Sequence, residues 1–183
     1  MTAGRFRLHR SPSSQAGAGP AGRLVALDAS AFPVSPTGHL AGHAAERVDG
    51  GAVVALHRLD AEALLGRRLH PSVSDAIDLV GRAEALVVAT PVYRGTYSGV
   101  AKAFFDLLPP GLLDGVPCLV LAVGDGPEPH ELRGDVERLV TRVGGHLDGP
   151  LVFVGSDQVD VEAGPAPALG RAIDDAVWRL LVP

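Results

Sequence analysis

The segment ALVVATPVYRGTYSGVAKAFFDLLP, Ala85 to Pro109, changes its hydrophobic period partway along. It opens with Leu86, Val87 and Val88, an apolar β-branched run too short to span a bilayer and bounded by Thr90-Pro91, which reads as a buried strand. Beyond Ser98 the apolar residues Val100, Phe104, Leu107 and Leu108 recur at helical spacing. Between the two lies a loop, Thr90 to Ser98, that holds both tyrosines of the chain together with Arg94 and Gly95. The unit is strand, loop, helix. In an open α/β sheet the loops at the carboxyl ends of the strands line the ligand crevice, so this loop is the first candidate site.

Working outward, the same alternation repeats. Arg23 to Asp28 reads as a first strand, Ala29 to Pro36 as a turn-rich loop, and Thr37 to Val48 as a helix capped by the Thr37 hydroxyl. Gly50-Gly51 breaks that helix before a second strand, Ala52 to Leu59, and a unit of this length implies a right-handed parallel crossover. Residues 60–71 are ambiguous. From Ser72 the spacing of Val73, Ile77 and Val80 predicts a helix with Ser72 or Ser74 near its N-cap and Asp75 in its first turn.

On the other side, Leu119 to Val123 is a fourth strand that runs into the proline-stiffened loop Gly124 to His130. Glu131 to Val143 is helical by the spacing of Leu132, Val136, Leu139 and Val143, and Gly144-Gly145 ends it. Leu151 to Val154 is a fifth strand, Ser156 to Pro167 a loop, and Ala168 to Leu181 a last helix. Five strands alternating with helices make an α/β protein with one parallel sheet.

At 183 residues the chain fits one domain. Residues 1–22, rich in Ser, Gly, Ala and Pro, bury too little apolar surface to offset ordering entropy and are expected to be a flexible tail. The domain is expected over 23–183. A net charge of −5 disfavours nucleic acid or an anionic membrane as a partner. Cys118, the one cysteine, lies in an apolar run and reads as a buried structural thiol, which suits a cytoplasmic protein. The first twenty residues hold no apolar run of signal-peptide length.

Several loops offer chemistry. Ser30, Ser35 and Thr37 stand just before a predicted helix, where free N–H groups and the positive helix end suit a phosphate; turn and capping roles explain the same residues. The segment is not a nucleoside-triphosphate P-loop, and Gly124-Asp125-Gly126 is no dinucleotide fingerprint, because Pro129 stands three beyond Gly126. Tyr93 and Tyr97 could wall a planar ligand with Arg94 supplying a cation, or pack their rings and keep their hydroxyls wet. His39 and His43 have metal-compatible spacing, with no third ligand to name. His130 reads equally as a ligand contact or as a helix cap. No hydrolytic triad can be assembled.

The stretch Ala89 to Pro109 resembles the flavin loop and following helix of the NADPH-dependent FMN reductases, most closely the branch that supplies reduced flavin to alkanesulfonate monooxygenases. Weaker agreement extends over about residues 23–157. Family members begin with a strand and a Gly-Ser-Pro-Arg-x-x-Ser-x-Thr phosphate loop; here Ser30, Ser35 and Thr37 keep the hydroxyl positions, while Ala29, Ala31 and Phe32 replace the glycine, proline and arginine. Where members of the branch carry Thr-Gly-Gly and then a histidine, this chain has Val123, Gly124, Asp125 and Gly126, then His130. It also lacks a tyrosine that some members insert in the next helix, near Val136, a difference the resemblance associates with tighter flavin retention.

The resemblance implies a flavodoxin-like three-layer sandwich with a five-stranded parallel sheet of order 2-1-3-4-5. It implies FMN as cofactor, the phosphate on Ser30, Ser35 and Thr37, the ring against Pro91, Val92, Tyr93, Arg94, Gly95 and Thr96, and Gly124, Asp125 and Gly126 on the other side. The implied activity is hydride transfer from NADPH or NADH to flavin N5, with no catalytic side chain needed and no metal. Alternatives are an NAD(P)H:quinone reductase, or a non-catalytic flavodoxin-like binding or assembly partner with weakened flavin affinity. A flavin or quinone acceptor, a flavin-dependent monooxygenase partner and a homodimer or homotetramer follow from the resemblance. The oligomer is expected to use the helix at Gly99 to Leu108, whose Phe104-Phe105 pair exceeds what one buried face needs.

Overall fold

The computed structural model describes residues 23–149 and 151–182; the tail expected over 1–22 lies outside the described residues. Strand β1 (Leu24–Asp28) is buried along its whole length and is flanked in parallel by β2 (Ala52–Ala55) and β3 (Ala85–Tyr93). Helix α1 (Pro36–Ala45) crosses from β1 to β2. A single 3-10 turn, Leu56–Arg58, then a four-residue helix α2 (Ala61–Leu64) and α3 (Pro71–Val80) lead to β3. A two-residue strand, β4 (Thr96–Tyr97), folds back on β3 before α4 (Gly99–Phe105). The chain continues through β5 (Pro117–Gly124), α5 (Leu132–Thr141), β6 (His146–Leu147), β7 (Val152–Gly155), a short hairpin of β8 (Val159–Asp160) and β9 (Gly164–Pro165), and α6 (Pro167–Leu181).

The parallel sheet runs β2-β1-β3-β5 and is completed by β6 and β7, both paired with β5. This is the flavodoxin-like order 2-1-3-4-5. The alternation of side chains along β1 divides the core as a parallel strand must. Val25 and Leu27 pack with α3, α4 and α5 on one face, and Leu24 and Ala26 with α1 and α6 on the other. The result is a three-layer sandwich.

Several boundaries differ from the sequence expectation. The fifth strand is two pieces: β6 beside Pro117–Cys118 and β7 beside Leu121–Gly124. The second strand ends at Ala55, because a 3-10 turn takes over where a strand to Leu59 was expected. The third strand does not stop at Thr90-Pro91. It runs to Tyr93, and Pro91 is tolerated because β1 has already ended opposite Ala89, leaving β5 as the parallel neighbour. Ser156 to Pro167 is not a plain loop but holds the β8–β9 hairpin.

Two caps are also corrected. Helix α1 is capped by Ser35, whose hydroxyl accepts the Gly38 N–H at 3.1 Å, and not by Thr37. Helix α3 starts at Pro71, a residue suited to the first helical position, and His70 rather than Ser72 or Ser74 accepts the capping N–H. Phe104 and Phe105 meet edge to face at 6.5 Å between ring centroids and are both buried within this chain, so their pairing is no argument for a subunit interface. Cys118 is buried as expected, and burial pushes its thiol up to about 12.

Candidate functional site

Three strands of the sheet, β1, β3 and β5, end on the same side at Asp28, Tyr93 and Gly124, and the loops that leave them gather at the edge where a parallel sheet is expected to hold its ligand crevice. Around β1 the hydroxyls expected to receive a phosphate are buried, and those of Ser35 and Thr37 are engaged with one another. The Thr37 hydroxyl donates to Asp28 Oδ1 at 3.1 Å, and its oxygen lies 3.0 Å from Ser35 Oγ. The Ser30 N–H donates to the same Asp28 oxygen at 3.0 Å, and Ser30 Oγ accepts the Phe32 N–H at 3.0 Å. Phe32, 60% exposed, projects from the loop.

Asp28 is the residue that sequence reasoning missed. Its carboxylate is only 3% exposed, and burial raises its pKa above the ordinary 3.8 against the pull of Ser30, Thr37, His57 and Arg58. His57 Nδ1, carried back toward the end of β1 by the 3-10 turn, stands 3.7 Å from Asp28 Oδ2 and has no hydrogen-bond partner among the described residues. The available signal was an acid closing an otherwise apolar central strand. No local pattern couples it to His57, twenty-nine positions on.

The second loop is a tight hairpin. Arg94 and Gly95 both have positive φ, 53° and 87°, as the two centre residues of a type I′ connection require. Tyr93 is half exposed at the tip, whereas Tyr97 turns inward and packs against the core, so the expected pair of tyrosine walls reduces to one. Two anchors hold the hairpin. Thr96 Oγ1 donates to Asp135 of α5 at 2.8 Å. Buried Ser98 caps α4 by accepting the Ala101 N–H at 3.0 Å, donates to the Ala29 carbonyl at 2.7 Å, and gives its own N–H to Thr90 Oγ1 at 3.1 Å. Ser98 therefore ties the β1 and β3 loops together, a role sequence reasoning did not assign.

The third loop begins at Gly124, where a Cβ would stand 3.2 Å from both Val92 Cβ and the Phe153 ring. A side chain there would crowd both neighbours. Asp125 is exposed and accepts a hydrogen bond from Ser156 Oγ, which holds the carboxylate against the end of β7. Pro129 approaches the hairpin tip beside Gly95, closing the second loop on the third. His130 is exposed, and the N-cap of α5, Glu131, makes no side-chain capping bond, so the capping role considered for His130 is not observed. His43 is bound to Asp174 of α6 at 2.8 Å and to the Gly170 carbonyl, a contact between helices away from the crevice.

This arrangement defines a flavodoxin-like protein in which the β3–β4 hairpin, the Gly124 turn and the α1 N terminus lie together at one edge of the sheet. Residues 23–135 match the family described as NADPH-dependent FMN reductase, and the chain belongs to that family. It is 35% identical over 118 residues to the FMN reductase (NADPH) of Escherichia coli K12, covering 62% of this chain and 61% of that protein. It is 43% identical over 70 residues to the NADH-dependent FMN reductase SfnE of Pseudomonas putida, covering 38% of this chain and 37% of that one. Among solved structures, the apo form of an NADH:FMN oxidoreductase (EMOB) superposes with a TM-score of 0.77 at 27% identity, over 88% of this chain and 89% of that one.

The residues present suit FMN unevenly. A half-exposed tyrosine, a tight turn and a glycine in a crowded position suit the flat ring at one end. The helix terminus at the other end suits a phosphate, but the Ser35 and Thr37 hydroxyls are already engaged and a buried carboxylate lies behind them.

Proposed function

We propose that this chain, as one flavin-binding domain over 23–183, is an NAD(P)H-dependent flavin reductase that works on FMN in this crevice. The observation that carries the reading is the β3–β4 hairpin, Pro91 to Thr96, held rigid at the carboxyl end of a central strand inside the stretch that matches the family. Bound FMN would supply the hydride acceptor at N5. The chain's own part is position and electrostatics. Pro91, Val92, Tyr93, Arg94, Gly95 and Thr96 form one wall. Gly124, Asp125 and Gly126 form the other, and the loop of Ser30, Ser35 and Thr37 takes the phosphate end. Tyr93 gives an exposed ring to stack on, and Arg94 a cation for the nicotinamide dinucleotide's phosphates. The nicotinamide gives up hydrogen with both bonding electrons and loses no proton to a base, so no side-chain acid or base is assigned.

The two curated relatives named above are described with different nicotinamide donors, NADPH and NADH, and both are tried in the test. A quinone is the alternative acceptor, and delivery of reduced flavin to a flavin-dependent monooxygenase by a homodimer or homotetramer extends the same reading. Among the described residues no helix is long and apolar enough to cross a membrane. The experiment is a flavin titration of the purified chain followed by NADH and NADPH oxidation with FMN or a quinone as acceptor. Flavin binding with donor oxidation supports the reading. Binding without oxidation by either donor favours the non-catalytic partner, which the buried carboxylate at the phosphate end makes the specific rival.

A further inference from the structure

The crevice contains one charged group that its proposed use does not employ. Asp28 ends the central strand β1, and its carboxylate lies under the first turn of α1: a Cβ at Gly38 would stand 3.1 Å from Asp28 Oδ2. Its other oxygen takes the Ser30 N–H and the Thr37 hydroxyl, two of the donors an incoming phosphate would use. The Ser35 hydroxyl is committed to Thr37 and to the Gly38 N–H. The first turn of α1 contains no acidic residue of its own. The groups that answer the Asp28 charge, His57 and Arg58, come from the 3-10 turn after β2 and not from the phosphate loop.

We propose that Asp28 sets the flavin specificity of this pocket: its carboxylate occupies the Ser30 N–H and the Thr37 hydroxyl of the phosphate loop and opposes a phosphate dianion, so that FMN and riboflavin bind with similar affinity. The inference rests on the flavin-reductase reading. A phosphate carries close to two negative charges at neutral pH, and a like charge a few Å away in a poorly solvated setting weakens binding well beyond what the same pair would in water. The phosphate must also displace Asp28 from Ser30 and Thr37 or forgo their hydrogen bonds. Riboflavin, with the same ring and no phosphate, meets neither obstacle. This runs against the tighter retention that the missing tyrosine near Val136 suggests, because the charge acts at the phosphate end and the tyrosine position lies on α5.

The test is a titration of FMN and of riboflavin into the wild-type chain, Asp28→Asn and Asp28→Ala, read by quenching of flavin fluorescence, with far-UV circular dichroism to verify folding. Wild type is expected to bind the two flavins within about tenfold of each other, and either variant to raise the FMN-to-riboflavin preference by roughly tenfold or more with riboflavin affinity little changed. A wild-type preference for FMN of a hundredfold or more overturns the proposal without recourse to the variants. So does flavin binding whose preference is the same in wild type and folded variants, and that result leaves the reductase reading standing. If neither flavin binds any of the three proteins, both the proposal and the reading beneath it are overturned.

Discussion

The Thr37 hydroxyl donates to the Asp28 carboxylate across 3.1 Å, locking the first turn of α1 to the end of β1 at the mouth of the crevice. The pair joins residues nine apart, and both are buried. It makes the loop proposed to take the phosphate a hydrogen-bonded cluster built around a buried acid.

That charge has a consequence for stability. Burial holds the Asp28 pKa above 3.8, so the folded protein binds this proton more tightly than the unfolded chain does. The resulting stabilisation is complete below about pH 3.8 and is lost as pH rises through the folded-state value. Asp28→Asn keeps an oxygen for Ser30 and Thr37 and turns an amide donor toward His57 Nδ1, which has no partner. The Tm of Asp28→Asn relative to wild type is expected to rise between pH 4 and pH 7, reaching a gain of a few degrees. Thermal melts across that range check it, and a difference that stays flat or falls counts against the assignment.

At the hairpin tip, Arg94 holds a left-handed backbone that a non-glycine residue adopts at a cost of about 1 kcal/mol. Asparagine suits that position better. Arg94→Asn is expected to stabilise the fold by about 0.5–1 kcal/mol while raising the KM for NAD(P)H several-fold through loss of the cation. Denaturant melts and steady-state kinetics on one preparation separate the two effects.

Gly124→Ala places a methyl against Val92 and Phe153, neighbours that belong to two other strands. Overpacking of this kind costs about 1–3 kcal/mol, and the wall formed by the third loop shifts with it. Lower stability together with weaker flavin binding is the expected result. An unchanged Tm would show that the strand ends give way more easily than their packing implies.

Ser98→Ala removes a helix cap and the bond to the Ala29 carbonyl, both buried. A loss of about 1–2 kcal/mol is expected from these contacts, read by chemical denaturation. Flavin affinity should fall with it, since Ser98 links the loops after β1 and β3.

Much of this architecture is readable from residue order. The switch of period within Ala85 to Pro109 gives a buried strand and then a helix, and the resemblance carried by that stretch gives the sheet order that is observed. Local reading failed where tertiary partners decide. Thr90-Pro91 looks like a strand end, but Pro91 lies beyond the end of β1 and the strand goes on. Thr37 looks like a cap, but Asp28 takes its hydroxyl and Ser35 caps instead. Phe104 and Phe105 look like one aromatic too many, yet both rings find room in the core. The Asp28–His57 approach joins the ends of two neighbouring strands, and only the parallel pairing of β1 with β2 brings them together.

The most direct test of the central claim is donor oxidation by the purified chain with FMN as acceptor, measured with NADH and with NADPH and repeated with Arg94→Asn. The account predicts saturable, FMN-dependent oxidation of at least one donor by wild type, with a raised KM for that donor in the variant. Failure of both donors to be oxidised at any FMN concentration would contradict it.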